Sequence, residues 1–389
     1  MLRALSIAST LAVVATVYVV LRRHGAERAV ATVCAAMFLA AHTRLGDGLD
    51  LARVDAPAVA LAMLGLAAAD AASRARDGRG SLRSAAVAAV VLAAGVLTKQ
   101  TVVTAIGGAS VAFWIAGRRA RAALIGGVAA AIVVSVGAAL HLASGGWSTF
   151  YFLTLPSGSP LVARDLALAV GRLGFFFPAA LGALAIAVWR FRRRPWASTS
   201  VWETSLVLSV PAALITNARV GGADNVWMLV VPLAAIVVGR YWVEEVPALS
   251  GRHVLFYAIA LQTAVLPHRP IAQVPTPADR QACEALVTTI RQASPPVFNP
   301  MFPYESLLAG RGPSPLVAQL VDYQPDAPVI RALAEAIRDR RLATIIATDL
   351  EHPLLAGIEG RYRTSEERSL DVPSYRGALR VLTPVASGQ

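Results

Sequence analysis

Charge is scarce in this chain of 389 residues: 15% are Asp, Glu, Lys or Arg, against 56% hydrophobic. Soluble domains are about one-quarter charged, so the composition excludes an ordinary water-soluble globule. Lysine is almost absent, with Lys99 alone beside 35 arginines. Cysteine is nearly so: Cys34 and Cys283 are too few and too widely separated for a disulfide framework or a metal site. There is no Gly-rich phosphate loop and no metal-spaced His/Cys cluster. The lack of an internal repeat counts against transporters assembled from duplicated halves.

What the chain does have is apolar runs. A bilayer core of about 30 Å needs roughly 20 apolar residues per helix. Ten runs stand before residue 268, at about 4–21, 29–42, 55–73, 84–98, 101–117, 122–143, 166–189, 200–216, 226–239 and 253–267. They predict a mainly α fold, a polytopic membrane bundle of about ten spans over residues 1–267.

The charges are unevenly placed. Residues 1–267 hold 23 Lys+Arg and 11 Asp+Glu, whereas residues 268–389 hold 13 of each. The basic excess therefore belongs to the membrane half, where it is a topology signal rather than a nucleic-acid footprint. Arginines gather in alternate loops: after residue 21, at 74–83, at 118–121, at 190–194, and at Arg240 and Arg252. By the positive-inside rule these loops are cytoplasmic. The segments 43–54, Lys99–Gln100, 144–165, 217–225 and everything after about 267 are then external, with both termini outside. Arginine in place of lysine suggests a GC-rich bacterial genome, hence a multi-pass protein of a bacterial plasma membrane.

Past residue 267 the pattern changes. HRPIAQVPTPADRQ is a Pro-rich linker. ADRQACEALVTTIRQ and DAPVIRALAEAIRDRR have helical spacing, while PPVFNPM and LATIIATD read as short buried strands. A small extracytoplasmic α/β domain is expected over residues 268–389.

Acids at the external edge of a membrane bundle are candidates for function, because each is costly if left unpaired in an apolar setting. LDLARVDAPA, residues 49–58, places Asp50, Arg53 and Asp55 at the mouth of the third run. Asp47, Asp165 and Asp224 are the other external acids. Asp55 also suits the N-cap of that span, with Pro57 in its first turn. Lys99 lies between two apolar runs in VLTKQTVV, where an ammonium is a compact donor for a phosphate oxygen or a snorkelling helix-end charge. GGWSTFYFLTLPSGSP supplies aromatics for an interfacial belt or a lipid groove. NARVGGADNVWMLVVP presents Asn217, Arg219 and Asn225 before an apolar helix, and Arg219 is a candidate anion ligand.

Taken together these pieces resemble the GT-C membrane glycosyltransferases, the superfamily of protein O-mannosyltransferases and the bacterial aminoarabinose transferase. The opening helix, basic turn and helix (residues 3–40) look like the family's pair after its first external loop. ARVDAPAVALAMLGLAAA resembles its Arg-x-Asp opening the next span. GVLTKQT resembles its Leu-Thr-Lys signature, and GGADNVWMLVVPLAAIV its late Asn-to-Pro helix. The resemblance implies transfer of a sugar from a polyprenyl-phosphate lipid to an acceptor hydroxyl on a glycan, lipid or protein, at the outer face and with inversion. It implies Asp55 as base or metal ligand, leaving a divalent metal open, and Lys99 as the group that neutralises the leaving phosphate. Arg53 would support Asp55 from behind or contact the phosphate; Asp50, Arg219 and Asn225, by their external placement, are the further candidates for substrate binding.

In that family a first span and a large external loop, bearing the principal acid, precede the helix that begins here at residue 4. The even span count, which leaves the start outside, agrees with one missing N-terminal span. The 389 residues alone are therefore expected to fall short of catalysis. A transporter or lipid flippase is the alternative reading, and a non-catalytic membrane scaffold a third.

Overall fold

The computed structural model describes residues 2–45, 49, 54–75, 78–193, 199–219, 222–245, 276–300, 303–311, 328–347, 355, 358–372 and 375–386. The chain forms two compact units, Met1–Leu153 with Leu161–His268, and Thr154–Pro160 with Arg269–Gln389.

The first unit is a bundle of ten helices among the described residues: α1 (Leu2–Arg23), α2 (Arg28–Ala40), α3 (Asp55–Arg74), α4 (Arg79–Thr98), α5 (Val103–Ile115), α6 (Arg119–Ala143), α7 (Ala163–Phe176), α8 (Pro178–Arg193), α9 (Val201–Asn217) and α10 (Val230–Glu244). Five stretches are helices long and apolar enough to cross a membrane: Arg3–Arg23, α3, α4, α6 and Asp224–Glu244. The count rises to six if α7 and α8 form one broken span. The protein is thus mainly helical, with the makings of a multi-pass membrane protein, and among the described residues five or six of the expected ten spans have membrane length.

Among the described residues two features, together with the 17-residue length of α9, set the remaining expected runs apart from these. At about 1.5 Å per residue, the 13 residues of α2 and of α5 extend only about 20 Å, less than a bilayer core. The run 166–189, expected as one span, is bent by 95° between α7 and α8. Pro178 sits at the break; it has no N–H to continue α7, and its fixed φ suits the first position of a new helix. The tenth expected run, 253–267, lies outside the described residues.

Packing of the unit depends on small side chains, as in membrane bundles where lipid tails remove the hydrophobic drive between helices. α3 and α4 form the most extensive pair. Ala58, Ala62, Ala69 and Gly65 line the buried face of α3, and a Cβ at Gly65 would lie 2.7 Å from Leu92 Cγ. In contrast, only 11% of the apolar window of α6 is buried. Its Val134 and Leu142 are exposed, as for a lipid-facing helix.

The bundle has two distinct ends. Arg22 and Arg23 close α1, Arg74 closes α3, Arg79 opens α4, Arg119 opens α6, and Arg190, Arg192 and Arg193 close α8. Alternating helix directions gather all of these at one end, leaving Asp55, Lys99 and Asn225 at the other. Arg190 and Arg240 are not loop charges as the sequence suggested. Both lie within helices and are buried: the guanidinium of Arg190 meets Glu203 Oε1 at 2.7 Å and Glu244 Oε2 at 3.1 Å, and Arg240 reaches Glu244 Oε1 at 3.0 Å.

The second unit contains α11 (Pro277–Gln292), β1 (Val297–Phe298), α12 (Pro303–Leu308), α13 (Pro328–Arg338), β2 (Thr344–Ala347), β3 (Tyr362–Val372) and β4 (Tyr375–Pro384). Thr276 caps α11 reciprocally with Asp279: Asp279 N donates to Thr276 Oγ1 at 3.2 Å and Thr276 N to Asp279 Oδ2 at 2.6 Å. The sheet order is β1-β2-β4-β3, with β1 parallel to β2 and the other pairs antiparallel. Ile345 packs with Phe298, Ile337 and Leu382 on one face, while Ile346 packs with Leu286, Ile290 and Leu379 on the other. Adjacent residues on opposite faces follow the strand period of two, so β2 is buried on both sides. The hairpin β3–β4 was not legible as strands because its outer face is charged, with Arg380 Nε against Glu367 Oε2 at 3.2 Å.

Candidate functional site

At the end of the bundle opposite the arginine clusters of α1, α3, α4, α6 and α8, three segments distant in sequence bring polar side chains to one carboxylate. Asp55 is the first residue of α3, where the partial positive charge of the helix N-terminus favours an anion. It is not the N-cap; that position is Val54. Its side chain, 5% exposed, accepts from two donors. Lys99 Nζ donates to Asp55 Oδ1, and Asn225 Nδ2 donates to the same oxygen at 2.8 Å.

Lys99 owes its position to a change of backbone. α4 ends at Thr98, Lys99 is extended at φ −155° and ψ 121°, and a 3₁₀ turn, Gln100–Val102, then leads into α5. Its ammonium is turned inward to the acid, with 21% of the side chain exposed, and does not snorkel outward. Asn225 lies in the 3₁₀ turn Asp224–Met228 that precedes α10. The neighbouring Asp224 faces away from Asp55. Its Oδ1 accepts from Arg172 Nη1 at 2.8 Å and from Asn217 Nδ2 at 3.3 Å.

Beneath Asp55 and Lys99 a cavity of about 30 Å³ is lined by Thr101, Thr104, Ser209, Thr216 and Asn225. That is the room of about one water. Thr104 Oγ1 and Ser209 Oγ are 2.8 Å apart across α5 and α9. One turn further along, a Cβ on Gly108 would lie 2.3 Å from Ser205 Oγ and 2.4 Å from its Cα. The helices therefore touch backbone to side chain at this level and close the floor of the cavity. Hydroxyls at 101 and 104, and at 209 and 216, carry helical spacing that would have marked this lining in the sequence.

The aromatic stretch is also tied to the site. Gln100 Nε2 donates to the Phe152 carbonyl at 3.1 Å. Trp147 stacks on Tyr151 with ring centres 5.9 Å apart, and Phe150 meets Tyr151 edge-on at 5.4 Å. Trp147, Tyr151 and Phe152 are exposed.

Of the residues singled out in the sequence, Asp55, Lys99 and Asn225 come together. Asp50 and Arg53, with Asp47, lie outside the described residues. Arg219 does not line the cavity; its backbone pairs with Leu161 and accepts from Gly222 N at 2.8 Å. Among the described residues no group of three His, Cys, Asp or Glu side chains could hold a metal ion. Arg44 was missed. Its guanidinium lies 4.0 Å from the Phe176 ring centre, in the 3₁₀ turn His42–Leu45 that packs on the turn bearing Asn225.

No family model matches the chain, and neither the curated proteins nor the solved structures give a match.

Proposed function

We propose that the Asp55 cluster is the reaction centre of a membrane glycosyltransferase that uses a polyprenyl-phosphate sugar and an acceptor hydroxyl. The observation that carries this reading is the meeting of one buried acid with one ammonium and one amide at a single end of the bundle. The Asp55 carboxylate takes the proton of the acceptor hydroxyl as its oxygen bonds to the anomeric carbon. The bond from that carbon to the phosphate oxygen breaks on the opposite face, and its electron pair stays with the phosphate. Lys99 leaves Asp55 to neutralise that charge, while Asn225 holds the carboxylate in place. The cavity that Asp55 and Lys99 share with the threonine and serine hydroxyls has about 30 Å³ of room, too little for a sugar, so the sugar and acceptor would bind outside it.

On this reading the arginine-bearing end faces the cytoplasm, and the Asp55 end and the C-terminal unit lie outside a bacterial plasma membrane. What supports it is the positive-inside rule applied to the segregated arginines.

The test uses protein purified from its native membrane, a sugar-loaded polyprenyl phosphate and a hydroxyl acceptor. Release of polyprenyl phosphate with matching glycosylation is expected. Asp55→Asn and Lys99→Ala should each lower turnover by about 10²-fold or more, the range for loss of a positioned proton acceptor or charge. Unchanged turnover in both variants would remove the assignment.

A second reading, a lipid flippase, is favoured by the 95° break between α7 and α8 and by the hydroxyls that α9 carries around Pro211. Carrier movement between leaflets without cleavage of the sugar–phosphate bond would decide for it.

A further inference from the structure

A second cavity lies at the arginine-bearing end of the bundle and has no part in the chemistry proposed above. It measures about 190 Å³, room for roughly six waters. Its wall is drawn from four helices and the three segments that connect their neighbours. His24 follows α1; Asp70, Ser73 and Arg74 end α3; Arg118 precedes α6; Thr199 and Ser200 precede α9; and Arg240 comes from α10. Ala112, Phe113 and Ala116 of α5 supply an apolar side.

The charges around this cavity are unequally satisfied. Asp70 Oδ2 is held by Arg74 Nη2 at 2.8 Å and lies 3.3 Å from His24 Nε2. Behind the wall, Glu203 and Glu244 are engaged by Arg190 and Arg240, with Glu245 3.7 Å from Arg190. Arg240 also donates to Ser200 Oγ. Arg118 differs from these cations: among the described residues its acceptor is the carbonyl of Ser73, a neutral group. An arginine carries five N–H donors in a planar fork, and Ser73 engages Nη1 alone. The fork matches two oxygens of a phosphate. Arg74, with 39% of its side chain exposed, and the Ser200 hydroxyl, whose oxygen accepts from Arg240 and from Trp202 N, supply further donors on the same wall.

We propose that this cavity binds a phosphate group, with Arg118 as its principal ligand and Arg74 and the Ser200 hydroxyl as supporting donors. Two sources have this chemistry: the headgroup of an anionic lipid, and a soluble phosphorylated compound. Basic pockets between helices at this level of a bilayer suit the former, and the α5 wall would take the first carbons beyond the phosphate.

The test is native mass spectrometry of the full chain in a zwitterionic detergent, titrated with phosphatidylglycerol, together with thermal melting in added inorganic phosphate. Wild-type protein should retain one lipid, and Arg118→Gln should retain it at least tenfold more weakly. Arg192→Gln, an exposed change at the same end but outside the cavity, should retain it like wild type. If phosphate raises the melting temperature of wild type but not of Arg118→Gln, and no lipid is retained, the ligand is a soluble phosphate. Equal lipid retention and equal phosphate response in wild type and Arg118→Gln would overturn the site, as would no response in either. Should Arg118→Gln fail to fold, Arg118→Lys keeps a charge without the fork. Weakened binding by that variant supports the site, and unchanged binding overturns it.

Discussion

Asn225 Nδ2 donates to Asp55 Oδ1 at 2.8 Å across 170 residues of sequence, and the same oxygen accepts from Lys99. Asp55 is thereby fixed from two sides, and the two donors have different consequences when removed. Asp55→Asn retains an acceptor oxygen for Asn225, whereas Lys99→Met leaves a buried carboxylate with one neutral donor. Lys99→Met should therefore destabilise the bundle more, by about 1–3 kcal/mol, with Asp55→Asn costing less. Thermal melting in detergent would show the order, and the reverse order would mean that Lys99 is held by something other than Asp55.

The buried Arg190–Glu203 pair should behave as a unit. Each side chain is less than 5% exposed, so Arg190→Met leaves Glu203 with only the more distant Arg240 Nη1, at 3.6 Å, and should cost about 3–5 kcal/mol. Adding Glu203→Gln should recover part of that loss. A double-mutant cycle by melting measures it, and simple additivity would count against the pairing.

Gly108 should tolerate no side chain. A Cβ would meet Ser205 at 2.3–2.4 Å, so Gly108→Ala must push α5 from α9 and should cost about 1–3 kcal/mol. Gly127 in α6 has nothing within 4 Å of the same position. Gly127→Ala should be neutral or stabilising by up to about 1 kcal/mol, through helix propensity alone. Equal effects in the two variants would argue against the close crossing.

Cys283 should be a slow thiol. Partial burial first, then the carboxylates of Glu305 and Asp279, push its pKa above the ordinary thiol value. Less thiolate is present at pH 8 than in a free cysteine, so a disulfide reagent should react slowly, with a rate midpoint at higher pH than that of a free cysteine. Glu305→Gln should move that midpoint down. Because the folded value is the higher one, the stabilisation is complete below the unfolded pKa and is lost as pH rises through the folded one. Cys34, buried in α2, should not react in folded protein.

Much of the helical layout is legible from hydropathy alone. α1, α3, α4 and α6 stand where long apolar runs stand, because a run of some 20 apolar residues fixes both the solvent and the hydrogen-bonding mode of the backbone. The break at Pro178 was equally available, since proline cannot continue a helix through that position. The β3–β4 hairpin was obscured by charges such as Glu367 and Arg380, which occupy its exposed face. Arg190 and Arg240 read as loop charges, since a sequence shows that an arginine borders an apolar run but not whether a glutamate waits opposite.

Locally encoded properties were settled by the sequence itself: apolar helices of membrane length, arginine clusters at helix ends, and a polar residue at the head of α3. These depend on windows of a few to twenty residues, and composition decides them. Tertiary structure alone decided that Asp55 meets Lys99, 44 positions away, and Asn225, 170 away, and that Arg118 faces a cavity while Arg190 is enclosed. Such encounters follow from which helices pack and how closely, which rests on contacts like Gly65 with Leu92 and Gly108 with Ser205. Periodicity places each residue on a face of its own helix, and only packing determines what that face meets.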